Sequence, residues 1–157
     1  METRRILIVD DDEYSRSTLS DHFTSLGHEV VTAKDGEDAL KKFVPEGFDC
    51  IISDLKMPKI DGLELLRKIK MQDSNVCFLI VTGYPDVDTA VSAIKEGADD
   101  YVNKPFHLED IRIKVEKILD SRQQAKSLKT VRGLLWALIF SIPIWLLLGI
   151  VLGIVWK

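Results

Sequence analysis

Short apolar runs alternate with stretches whose apolar residues recur at helical spacing, and the alternation repeats along the first 120 positions. Arg5-Ile-Leu-Ile-Val9 is rich in β-branched residues and bounded by charge, the pattern of a strand buried on both faces of a parallel sheet. From Tyr14 to Leu26 a helix is predicted, with Leu19, Phe23 and Leu26 on one face and Gly27 as its stop. Residues 29–33 read as a second strand, and a helix from Gly36 carries Ala39, Leu40 and Phe43 inward before ending near Pro45. Residues 49–53 read as a third strand. Pro58 and Gly62 force a turn before a helix at 63–70. The run at 75–81 is the most apolar strand and ends at Thr82-Gly83. Asp86 can cap the next helix, whose inner face is expected to be Val87, Ala90, Val91 and Ile94, closed by Gly97. A short strand at 100–102 leads into Asn103-Lys-Pro-Phe106, and a last helix from about Leu108 places Ile111, Val115, Ile118 and Leu119 at helical spacing. Strand–helix units in this order predict an α/β domain with a doubly wound parallel sheet.

The pattern then changes twice. Residues 121–132 contain Arg122, Lys126, Lys129 and Arg132 and no acid. Residues 133–156 contain no charge at all. As a helix that run is about 36 Å long, enough for a hydrocarbon core of about 30 Å. We therefore expect a transmembrane helix at 133–156 behind a basic juxtamembrane linker. The basic side should lie in the cytoplasm, and Trp136 and Trp156 should sit near the two interfaces. Pro143 would kink such a helix; a re-entrant hairpin turning at Ser141–Pro143 is the alternative. Gly149-x-x-x-Gly153 allows close helix approach, so a homodimer is one expectation for the tail.

Charge adds little beyond this division. Lys157 aside, all the charged residues, 20 basic and 25 acidic, precede Gly133, so the first part is mildly acidic and gives no sign of a nucleic-acid-binding surface. Cys50 and Cys77 lie within apolar strands and have no zinc-site spacing, so both are expected to be buried thiols in a reducing compartment. No signal peptide is expected, because the apolar run at Ile6–Val9 passes straight into acids.

The chemistry gathers at strand ends. Asp10, Asp11 and Asp12 follow the first strand, Asp54 the third, Thr82 ends the fourth, and Lys104 follows the fifth. In a right-handed parallel sheet these ends share one edge, and ligands of open α/β sheets bind outside the carboxyl ends of the strands. Carboxylates with a backbone carbonyl and water make an oxygen site that suits magnesium rather than zinc. A carboxylate can also attack phosphorus, and a lysine and a hydroxyl can neutralise the phosphoryl oxygens.

Ile6-Leu-Ile-Val-Asp-Asp-Asp-Glu13, Asp54-x-x-Met-Pro-x-x-Asp-Gly62, Thr82-Gly83 and Lys104-Pro-Phe106 together resemble the receiver domain of bacterial two-component response regulators, the family of the chemotaxis regulator. The resemblance covers residues 1–120 and implies a flavodoxin-like (βα)5 fold with sheet order 2-1-3-4-5. It implies Asp54 as the phosphoacceptor and a Mg2+ site of Asp10, Asp11 and Asp54, with Asp11 as the direct ligand, Asp10 acting through water and the backbone carbonyl of Lys56 completing the set. Lys104 would pair with the phosphoryl group, and Thr82 would hydrogen-bond it. Tyr101 matches the family's switch aromatic, which turns inward when the threonine moves. Pro105 matches a cis-proline, and Asp12 a supporting acid or helix cap outside the site. Lys56 and Tyr84 stand where the family varies, and their bulk would favour a long-lived phosphate.

The function so implied is that of a membrane-tethered receiver, not an enzyme. It would be phosphorylated by a sensor histidine kinase and read by an unknown output protein, with no output domain of its own and no nucleic-acid contact. Val9-Asp-Asp-Asp-Glu13 also looks like the opening of haloacid-dehalogenase-type phosphatases, with Asp10 as nucleophile, but that family usually has threonine or valine where Tyr14 stands. A non-phosphorylated membrane scaffold is the third reading; it gives no reason to keep Asp54, Thr82 and Lys104 together.

Overall fold

A computed structural model describes residues 2–83 and 86–124. The strands are β1 (Arg5–Val9), β2 (Glu29–Ala33), β3 (Cys50–Asp54), β4 (Cys77–Thr82) and β5 (Asp100–Asn103). The helices are α1 (Glu13–Ser25), α2 (Gly36–Lys42), α3 (Gly62–Gln72), α4 (Val87–Lys95) and α5, residues 108–124. All strand pairs are parallel, and the order is β2-β1-β3-β4-β5, as expected from the resemblance.

Alternation along each central strand divides the core into two layers. Leu7, Val9, Ile51, Phe78 and Ile80 face α2, α3 and α4, meeting Ala39, Leu65, Leu66, Ile69 and Ala93. Ile6, Ile8, Ile52, Leu79 and Val81 face α1 and α5, meeting Leu19, Phe23, Ile111, Val115 and Leu119. Burial on both faces is why β1, β3 and β4 read as unbroken apolar runs. Cys50 and Cys77 are buried free thiols in register on β3 and β4, with sulfurs 3.1 Å apart.

Helix starts follow the acids. Asp12, Asp35, Asp61 and Asp86 each accept the backbone N–H three residues on, capping α1, α2, α3 and α4. Gly27 and Gly97, at φ of 87° and 102°, end the turns after α1 and α4 where a side chain would be strained.

One expectation fails at α4. Val87, Val91 and Ile94 are 77%, 46% and 49% exposed, whereas Ala93 is buried and Ala90 partly so. The helix packs through its small residues, and the bidentate Arg67–Glu96 pair at 2.6 and 2.9 Å ties its end to α3. Its apolar stripe faces solvent.

The first compact unit spans Met1–Leu119. The expected linker past Gln124 and the membrane segment at 133–156 lie outside the described residues, as does Tyr84. Among the described residues no helix is long and apolar enough to cross a membrane.

The sheet reverses direction of winding between β1 and β3, where a crevice opens at the carboxyl edge. The β3–α3 loop is closed beside it by the Gly62 N–H donating to the Leu55 carbonyl at 2.8 Å. A Cβ at Gly62 would stand 2.4 Å from the Asp54 carbonyl oxygen and 2.9 Å from the Leu55 Cα, both backbone atoms that cannot swing away. Gly62→Ala is therefore expected to cost about 1–3 kcal/mol, read as a lowered urea midpoint with an unchanged slope. An unaltered midpoint would mean that the loop gives way freely.

Candidate functional site

The reversal point of the sheet brings Asp10, directly after β1, against Asp54 at the end of β3. Asp10 is 2% exposed, Asp54 is partly buried, and Asp11 is exposed. One carboxylate oxygen from each of the three falls within 4.8 Å of the others. Lys104 reaches over from beyond β5: its Nζ donates to Asp10 Oδ2 at 2.8 Å and to Asp54 Oδ2 at 3.2 Å. Its backbone N–H donates to the Thr82 carbonyl at 2.7 Å, and its peptide bond to Pro105 is cis. Thr82 itself is fully buried at the end of β4. The residues expected to form a site therefore do meet at one edge of the sheet.

The electrostatics follow from the crowding. Burial pushes the Asp54 carboxyl above its ordinary value; the Lys104 charge pulls it down and the Asp10 charge pushes it up again. For Lys104, burial disfavours the ammonium, but the hydrogen bond and charge of Asp10, with the charge of Asp54, outweigh it and hold the group above its ordinary value. The two shifts agree physically. Lys104 stands closer to Asp10, so Asp54 receives the smaller share of the cation and its burial is not offset. Asp54 Oδ1 is fixed by the Leu55 N–H at 2.6 Å, with the Lys56 N–H at 3.4 Å.

Three carboxylates against one ammonium leave negative charge, and every donor in the cluster is oxygen. This set fits a hard divalent cation such as magnesium and does not suit a thiophilic metal.

Tyr101 is half-buried, packed on the core layer that carries α4. Burial pushes its hydroxyl up, against the pull of a hydrogen bond from the Asp86 backbone. Tyr101 thus links β5 to the residue that caps α4. Asp12 serves as the cap of α1, accepting the Ser15 N–H at 2.7 Å.

Sequence reasoning missed the groups that hold Asp10. Its Oδ1 accepts the Asp12 N–H at 2.9 Å, its Oδ2 accepts the Ser15 hydroxyl at 2.7 Å, and its carbonyl accepts Arg16 Nη1 at 2.8 Å. The Asp12-x-x-Ser15 spacing signals a capped helix start but not where the serine hydroxyl turns. Lys59 was also missed: it bonds Glu37 at 2.8 Å and approaches Asp35 at 3.5 Å, tying the loop after Asp54 to the start of α2.

A doubly wound parallel sheet with acids, a buried hydroxyl and a lysine at its reversal point defines a regulatory receiver fold. The family model described as response regulator receiver domain matches residues 6–116, and the chain belongs to that family. Regulatory protein AtoC of Escherichia coli (strain K12) is 35% identical over 125 residues, covering 80% of this chain and 27% of that protein. Response regulator ArlR of Staphylococcus aureus (strain Mu50 / ATCC 700699) is 38% identical, covering 83% of this chain and 58% of that protein. The chain thus spans about a quarter to somewhat over half of these relatives, which are regulatory proteins rather than enzymes. Among solved structures, a CheY-like receiver domain protein from Methanospirillum hungatei JF-1 is 31% identical with a TM-score of 0.75, covering 79% of this chain and 99% of that one. A response regulator from Burkholderia pseudomallei, described with a phosphorylated aspartic acid, calcium ion and citrate, is 31% identical with a TM-score of 0.68, covering 80% of this chain and 74% of that one.

The phosphatase reading is not favoured. Asp10 is 2% exposed and both its carboxylate oxygens are taken by donors, which is poor placement for a nucleophile.

Among the described residues, Lys104 is the ion-pair partner of both Asp10 and Asp54, and in a chelator it offsets the carboxylates alone. Asp54→Asn, which removes one charge and keeps the shape, is therefore expected to raise the thermal midpoint under those conditions, and Lys104→Ala to lower it. A lower midpoint for Asp54→Asn would show that its ion pair outweighs the crowding.

Proposed function

We propose that this chain is a membrane-tethered receiver that takes a phosphoryl group onto Asp54 from a histidine kinase and thereby alters a protein-binding surface. The observation that carries the first part is the placement of Asp54, a half-buried carboxylate 3.2 Å from the Lys104 ammonium and beside two further acids. The phosphorylated aspartic acid described for the Burkholderia relative supports the same chemistry.

Asp54 attacks phosphorus, an O–P bond forms, and the donor's bond to phosphorus breaks with its electrons staying on the donor. A Mg2+ ion held by Asp11, Asp54 and the Lys56 carbonyl, with Asp10 acting through water, would neutralise charge on the phosphoryl oxygens. The engagement of both Asp10 oxygens by protein donors suits an indirect role, and the exposure of Asp11 suits a direct one. Lys104 shifts its share of charge from the carboxylates to a phosphoryl oxygen. Thr82 turns its hydroxyl toward that group, and Tyr101 moves inward behind it, disturbing the bond to the start of α4. The exposed Val87, Val91 and Ile94 stripe on α4 then offers the surface on which a partner reads the change. The mildly acidic charge of residues 1–132 favours a protein rather than nucleic acid as that partner.

The tether rests on sequence: 24 uncharged residues at 133–156 behind Arg122, Lys126, Lys129 and Arg132. Confinement to the inner face of a membrane raises the effective concentration of membrane-bound kinases.

Magnesium-dependent labelling by acetyl phosphate is expected in the wild type and absent in Asp54→Asn; label at the wild-type level in that variant would place the nucleophile elsewhere. The full-length protein is expected to stay with membranes through carbonate and high salt, since apolar burial rather than charge holds it. The receiver should be reached by protease from the cytoplasmic side. Release by salt would replace the spanning anchor with a surface-bound tail.

A further inference from the structure

We propose that Ser15 is a positioning residue for phosphoryl transfer, acting through Asp10 on Lys104: its hydroxyl keeps Asp10 hydrogen-bonded when the Lys104 ammonium moves to the phosphoryl group. The inference rests on Asp54 being the acceptor and adds a residue that the motif set does not contain.

Asp10 Oδ2 takes two donors, Ser15 Oγ at 2.7 Å and Lys104 Nζ at 2.8 Å. Lys104 is farther from Asp54, at 3.2 Å. To stabilise charge on a phosphoryl group carried by Asp54, the ammonium has to give up part of its bond to Asp10. Asp10 is 2% exposed, its Oδ1 is held by the Asp12 N–H, and a buried carboxylate oxygen left without a donor at Oδ2 is strongly disfavoured. A second donor on the same oxygen removes most of that cost. Ser15 is that donor, and its place does not depend on the phosphoryl group. It stands in the first turn of α1, where its own N–H is held by Asp12 at 2.7 Å and the next residue, Arg16, clasps the Asp10 carbonyl at 2.8 Å. The cap uses the Ser15 backbone and not its hydroxyl, so the hydroxyl can be removed without uncapping the helix.

Ser15 and Lys104 also line a cavity of about 260 Å³ with Tyr14, Leu19, Pro105 and Phe106. In Ser15→Ala a water could enter from it and replace the hydroxyl. The informative comparison is therefore Ser15→Thr against Ser15→Val, which have the same shape and differ by the hydroxyl.

The test uses the full-length chain in mild detergent. It measures the rate of labelling by acetyl phosphate at saturating Mg2+, the affinity for Mg2+ alone by calorimetry, and the affinity for beryllofluoride as a phosphoryl mimic. Ser15→Thr is expected to label within about threefold of wild type, and Ser15→Val about tenfold more slowly than Ser15→Thr. Mg2+ affinity should differ by less than about twofold between the two variants, while beryllofluoride binding follows the labelling rate. In a Lys104→Ala background the Thr-to-Val ratio for beryllofluoride should fall toward one, because the residue through which Ser15 acts is gone. Equal labelling of the Thr and Val variants overturns the proposal. So does a difference in Mg2+ affinity as large as the rate difference, which would put Ser15 on the metal site. A Thr-to-Val ratio that survives Lys104→Ala does the same. Failure of the underlying reading has a different signature: wild type that takes no label, or Asp54→Asn that does.

Discussion

Carboxylates brought to within 4.8 Å of one another at a sheet edge repel, and Lys104 is the cation that lets them coexist. Its ammonium is divided unequally, nearer Asp10 than Asp54. That inequality gives the site its character. Asp10 is buried, fully engaged and fixed, whereas Asp54 keeps an incompletely neutralised carboxylate toward the crevice. The arrangement is costly without a cation and relieved by one, so occupancy of the site and stability of the fold are linked through the same charges.

The fold's part is to bring these groups from distant points in the chain to one place. Asp10 and Lys104 are 94 residues apart and still make a 2.8 Å contact. This works because β1 and β3 are neighbours at the point where the winding reverses, with Val9 in register with Ser53 and Asp54 in register with Val81. A one-residue slip would turn every inward side chain of a strand to the other layer, and the two core layers, each apolar throughout, forbid it. The site's precision is thus inherited from strand register. The tight approach of Gly62 to the Asp54 carbonyl, and the Lys59 bridge to α2, then hold the loop that follows Asp54.

Much of this is legible in the sequence, for identifiable reasons. Central strands buried on both faces give unbroken apolar runs, and caps are marked by acids at helix starts, so most element boundaries come out within a residue or two, while α2 ends at Lys42, three residues short of the expected Pro45. The acids, Thr82 and Lys104 follow from those ends. Two things are not legible. The first is where a short polar side chain turns: Asp12 reads as a helix cap and its carboxylate does accept the Ser15 N–H, but nothing in the sequence shows that the Ser15 hydroxyl goes to Asp10. The second is which side of α4 is inside. Val87, Val91 and Ile94 have the spacing of an inner face, but the helix buries Ala93 against the core and leaves those larger side chains exposed. Periodicity locates an apolar stripe without saying what covers it.

The outward stripe bears on how a change at Asp54 could be felt elsewhere. Leaving three large apolar side chains in water gains nothing for the isolated fold, and a helix that rests mainly on Ala93, with Ala90 partly covered, gives up little packing when it shifts. Its start is held by Asp86, whose carboxylate bonds Thr89 and whose backbone N–H bonds the Tyr101 hydroxyl. Asp86 follows Thr82 by only four residues in the chain. In the proposed reading, a movement of the threonine hydroxyl toward a phosphoryl group would reach the start of α4 through the tyrosine on β5. The α1 side is held differently: Leu19 and Phe23 are buried there, and the Asp12 N–H, the Ser15 hydroxyl and the Arg16 guanidinium all bond Asp10. The site is thus held firmly against α1 and loosely against α4. In the proposed reading, this asymmetry of packing is why α4 and β5, rather than α1, would carry the switching surface.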